Sequence, residues 1–136
     1  MADAPLPENF RWVSARAMCS VPQVFEQLYN DVISDVEERK SIPPRNAQVN
    51  FTVTKGRGNF SVVREILGLI PDSVNFALSR DGIITVHDDD NTFQLTATIT
   101  LNNDGKCRLK VGNDELCLWQ FRRMALEKLF FVLRSS

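Results

Sequence analysis

From Val21 the apolar positions advance by steps of three and four, through Val24, Phe25, Leu28, Tyr29, Val32, Ile33 and Val36. Glu26, Asn30, Asp31, Asp35, Glu37 and Glu38 fill the remaining arc. Ser20 and Gln23 have capping-box spacing, Pro22 suits a first turn, and Arg39 and Lys40 suit the C-terminal end of a helix dipole. The pattern predicts an amphipathic helix from near Ser20 to near Lys40, closed by Ile42-Pro43-Pro44-Arg45. At Ala47 the period drops to two. Ala47, Val49, Phe51 and Val53 alternate with polar residues, and Lys55-Gly56-Arg57-Gly58 then turns the chain into a second strand over Asn59 to Ile66. Leu67 to Asp72 reads either as a break or as the end of a short helix. Val74, Phe76 and Leu78 alternate again, Ser79-Arg80-Asp81-Gly82 reads as a hairpin, and Ile83 to His87 follows. The clearest strand sets Phe93, Leu95, Ala97, Ile99 and Leu101 against a row of threonines. After Asn103-Asp104-Gly105, Cys107, Leu109 and Val111 face inward while Lys106, Arg108 and Lys110 face out. A last strand is expected over Glu115 to Gln120, and a helix over Phe121 to Leu133.

Arg11 to Met18 alternates in part and predicts a short first strand, while residues 1–10 hold two prolines and no periodicity and read as a flexible lead-in. The expected fold is a single α+β domain over residues 11–136, with one amphipathic N-terminal helix. An antiparallel sheet of about five to seven strands and a C-terminal helix packed on it complete the expectation. Trp12, Trp119, Phe130 and Phe131 are assigned to core or helix–sheet contacts.

Composition removes several classes. The chain has 136 residues, 43% of them hydrophobic, and a net charge of −1. A chain of this size buries enough surface to fold without metal or disulfide, and the near-neutral balance weighs against a nucleic-acid binder. No apolar run approaches the ~20 residues of a membrane span, and the first ten residues lack a secretory pattern. Cys19, Cys107 and Cys117 form an odd set without CxxC spacing, so the expectation is free buried thiols in a cytoplasmic or nuclear protein.

His87 is the only histidine, so covalent Ser or Cys chemistry would depend on that one residue, and no catalytic constellation or cofactor motif is legible. His87-Asp88-Asp89-Asp90 supplies metal-ligand types, but consecutive turn residues cannot converge on one ion and calcium-loop spacing is missing, so no metal is assigned. Lys55 and Arg57 flank glycines whose N–H groups suit an anion, although strands rather than a helix follow. Lys106, Arg108 and Lys110 share one strand face over about 13 Å, and Arg122 and Arg123 open the last helix. By thirds the charge runs −2 over residues 1–50, −2 over 51–100 and +3 over 101–136. The seven cations named here are the candidate anion- or partner-binding residues, and the basic C-terminal third suits an acidic protein segment, an anionic lipid headgroup or a phosphate backbone.

Two stretches carry a family likeness. NFRWVSARAMCSVPQVFEQLYNDV (9–32) resembles the opening strand and helix of the kinase-associated C-terminal domains found behind AMP-activated and microtubule-affinity-regulating kinases. TFQLTATITLNNDGKCRLKVGNDELCLWQFRRMALEKLFFVL (92–133) is similar to that family's closing strands and basic-capped helix, while residues 42–91 are longer than the family's usual connection. The resemblance implies a non-catalytic regulatory module that binds a protein partner or anionic phospholipid, with Lys106, Arg108, Lys110, Arg122 and Arg123 as the counterparts of basic contact residues. The element order also resembles START-like helix-grip domains, which implies an apolar pocket between sheet and last helix. Whether Met124, Leu126, Leu129 and Phe130 fill that space separates the two.

Overall fold

The computed structural model describes residues 7–42 and 49–132. Ala47, Leu133 and most of the lead-in lie outside the described residues; residues 7–10 form a turn in which the Phe10 N–H donates to the Pro7 carbonyl at 2.9 Å. The segment expected as a first strand is instead a short helix, α1 (Trp12–Met18). Ala15, Arg16, Ala17 and Met18 are good helix formers, and the partial alternation through Trp12, Val13, Ala15 and Ala17 buries no face. None of the α1 residues is buried.

α2 (Val21–Ser41) follows the predicted bounds within a residue and buries Val24, Phe25, Leu28, Val32 and Val36. Ser20 takes the extended N-cap backbone but makes no side-chain cap bond, so its spacing to Gln23 is not used. Pro22 sits in the first turn, where its missing N–H has no helical acceptor.

Seven strands then run as a meander: β1 (Val49–Gly56), β2 (Asn59–Ile66), β3 (Asp72–Leu78), β4 (Ile84–Asp88), β5 (Gln94–Leu101), β6 (Cys107–Val111) and β7 (Asp114–Leu116). Each pairs antiparallel with the next, in spatial order β1 to β7. Directly opposed residues share a face. Phe51, Val62, Phe76, Val86, Ala97 and Leu109 are therefore buried on one side, while Thr52, Ser61, Asn75, His87, Thr96 and Lys110 line the other. Residues 67–71 form a turn rather than a helix: the Leu69 N–H donates to the Ile66 carbonyl at 3.0 Å, and Gly68 adopts φ 84°, open to glycine at little cost.

α3 (Leu118–Phe131) starts three residues before the predicted helix and shortens the last strand to Asp114–Leu116. Cys117 is the reason, since it stands at the N-cap and its N–H donates to Gln120 Oε1 at 2.8 Å. α2 and α3 cover the apolar face of the sheet. Phe60 stacks on Phe76 with centroids 4.6 Å apart, and Phe25 and Tyr29 of α2 close over Phe60 at 5.1 and 5.2 Å. The cysteine expectation is overturned. Cys19, after α1, and Cys107, on β6, form a disulfide with Cα atoms 5.6 Å apart; Cys117 alone is free. Eighty-eight residues separate the pair in sequence, and only the fold brings them together.

Candidate functional site

α3 turns Phe121, Ala125, Leu126, Leu129 and Phe130 onto the sheet. On its flank toward α2, Arg122 donates from Nε to Asp35 Oδ2 at 2.7 Å and from Nη1 to Asp31 Oδ2 at 3.2 Å. One helical turn separates the two carboxylates, so both reach the same guanidinium. At the far end Arg39 Nε donates to the Phe130 carbonyl at 2.9 Å, and its guanidinium lies 5.1 Å from the Phe131 ring centroid. Between these ties the helices leave a surface groove of about 330 Å³, lined by Ile42, Trp119, Leu126, Phe130 and Phe131 together with Asp, Glu and Arg side chains. Trp119 and Phe131, expected in the core, stand 55% and 64% exposed as its walls. Trp12, also expected in the core, is 62% exposed on α1.

A second, smaller cavity of about 200 Å³ lies where α3 meets β3 and the β4–β5 turn, among Val74, Phe93, Met124 and Leu129. Beside it is Arg64, 5% exposed, a residue that sequence reasoning overlooked. Its Nε donates to Asp72 Oδ1 at 3.0 Å and Nη2 to Asp72 Oδ2, while Nη1 donates to the Leu129 carbonyl at 2.8 Å and to that of Val132. Arg64 thus ties β2 to β3 and supplies donors to the C-terminal carbonyls of α3. The available signal was phase: Phe60, Val62 and Arg64 alternate inward on β2.

The predicted cations do not form one surface. Arg108 and Lys110 lie on the outer face of the sheet, opposite Thr100 and Thr98, and Lys106 is exposed at the end of the β5–β6 turn, one residue before β6. Arg122 and Arg123 lie in the helix layer. Arg108 pairs with Asp104 at 2.7 Å, Arg123 with Glu127 at 3.0 Å, and Lys55 with Glu26 at 3.3 Å. Lys110 is exposed opposite Glu115, and Arg57 is exposed in the β1–β2 turn.

His87 faces the outer side between Asn75 and Gln94, with Nδ1 3.0 Å from the Asp88 carbonyl oxygen. Asp88 organises its own turn: Oδ1 accepts the Thr92 N–H at 2.9 Å and the Phe93 N–H at 3.2 Å, and Oδ2 accepts the Thr92 hydroxyl at 2.6 Å. Burial pushes its carboxyl up, but the Thr92 hydroxyl and the two N–H groups outweigh this and hold it below its ordinary value. Among the described residues no three His, Cys, Asp or Glu side chains are grouped to hold a metal ion, and no helix is long and apolar enough to cross a membrane. Compared with known proteins, the chain matches no family model, no curated protein and no solved structure.

Proposed function

We propose that this chain is a non-catalytic interaction domain whose α2–α3 groove receives a segment of a protein partner. The carrying observation is the pair of large aromatics, Trp119 and Phe131, held exposed near the two ends of α3 along a floor of Leu126 and Phe130, within reach of charges of both signs. Aromatic walls with a polar rim suit an apolar anchor residue on the partner, with water excluded around it. The kinase-associated resemblance is consistent with such a role. Of the four side chains that decide between a filled interior and a ligand chamber, Leu126, Leu129 and Phe130 are buried beneath α3 and support the filled interior, while Met124 is 45% exposed and takes no part in it. The cavity that is left falls below the roughly 300 Å³ at which small-molecule sites begin.

Photo-crosslinking tests the reading. A photoreactive residue at position 119 is expected to capture one partner from the native source, while the same group at Arg57 captures none. Phe131→Asp is expected to abolish the capture with the melting temperature unchanged. Equal capture at both positions refutes the groove. Vesicles containing phosphatidylserine supply the competing outcome: sedimentation that depends on Arg108 and Lys110 moves the site to the outer sheet face. An apolar adduct retained in native mass spectrometry would favour the helix-grip alternative.

A further inference from the structure

The two edges of the sheet are unequal. β7 is three residues long and begins with Asp114 and Glu115, so brevity and charge blunt it. β1 is eight residues long, has no charge or proline from Val49 to Thr54, and among the described residues pairs only with β2. Such a strand presents a row of backbone donors and acceptors to any chain that can run beside it.

We propose that the β1 edge pairs antiparallel with β1 of a second copy of this chain, joining two sheets across a two-fold axis. A strand that meets itself antiparallel is self-complementary by symmetry, and α2 adds a second reason. Lys55 on β1 lies against Glu26 and the Tyr29 ring, toward the start of α2, and Phe51 lies under Arg39, toward its end. The middle of β1, at Thr52 and Val53, is therefore level with Ile33. Helical geometry places Asp31 and Asp35 on the α3 flank, and Glu26, Ile33 and Lys40 on the opposite flank, toward the open edge. Glu26 and Lys40 are seven residues either side of Ile33. A two-fold axis through the centre of β1 therefore sets Ile33 against its own copy and brings each Lys40 toward the partner's Glu26. The α2–α3 grooves then lie on the outer flanks, giving one dimer two binding sites.

Sedimentation velocity on the full chain, from about 1 to about 100 µM, tests the proposal, since dimer population follows protomer concentration. The wild type is expected to sediment as a dimer. Thr52→Lys, which places like charges opposite each other at the axis, is expected to yield a monomer with unchanged circular dichroism. Lys40→Glu is expected to weaken dimerisation about tenfold through its two symmetric contacts. Should Thr52→Lys fail to fold, Ile33→Glu on α2 supplies the same test. A wild type that stays monomeric throughout, or a dimer unaffected by Thr52→Lys and Ile33→Glu, overturns the proposal.

Discussion

α1 and α3 each display an exposed tryptophan, yet they are held to the sheet by different means. α3 buries five side chains and has its last carbonyls held by Arg64. α1 buries none; it is retained by the Cys19–Cys107 bond that follows it and by Arg16, whose Nη2 donates to the Ile99 carbonyl at 3.4 Å. Packing keeps a helix in place under any redox condition, whereas a sulfur bridge does so only while oxidised. A disulfide persists in oxidising compartments and is held reduced in the cytosol, so compartment decides how firmly α1 is attached.

The largest expected effect tests the α3 side of this contrast. Arg64→Ala leaves Asp72 without its partner and strips donors from two carbonyls, and is expected to cost about 3–5 kcal/mol in urea unfolding. A loss below about 1 kcal/mol would show that α3 is held by its apolar face alone. Next comes the bridge. Reduction, or Cys19→Ala with Cys107→Ala, is expected to cost about 2–4 kcal/mol. Amide exchange should then rise in α1 far more than in α3, and equal protection in both helices would erase the distinction. Smaller still are the tryptophans. Trp12→Ala and Trp119→Ala are each expected to shift stability by no more than about 0.5 kcal/mol, and only the second should weaken retention of the partner in a pull-down from the native source. The smallest effect lies beside α3, at Asp88. Its lowered carboxyl value means that its contribution is complete above the ordinary 3.8 and is lost as pH falls through the lower folded value. Acid titration of stability is expected to show this shallow loss in the wild type and a shallower one in Asp88→Asn.

The elements that sequence made legible are those whose burial is one-sided along their whole length. α2 and the strands from Phe51 to Val111 each expose one polar face, and period alone reveals that. α1 is not legible in the sequence because seven residues with no buried side chain have no stripe to detect. Trp119 and Phe131 are apolar yet exposed, because α3 has more apolar residues than its sheet-facing side can hold, and apolar character alone does not report burial. The Cys19–Cys107 pair escaped because spacing in sequence does not report a distance that depends on α1, β6 and the turn between α1 and α2. The basic excess of the C-terminal third is a matter of composition, and charge counts do not show that Arg108 on β6 and Arg122 on α3 lie on opposite sides of the sheet, or that each meets an acid.

The meander order also makes most of the folding problem local. Each strand pairs with its sequence neighbour, so the sheet can grow hairpin by hairpin with short loops to close. The long loops belong to the helix layer, where Arg122 meets Asp35 and Asp31 across 87 and 91 residues. Contacts of that span form late, and their loss falls on the unfolding rate. Stopped-flow measurements on Arg122→Ala are therefore expected to show faster unfolding with the folding rate nearly unchanged. The groove between α2 and α3 would then be among the last parts of the molecule to assemble and the first to open.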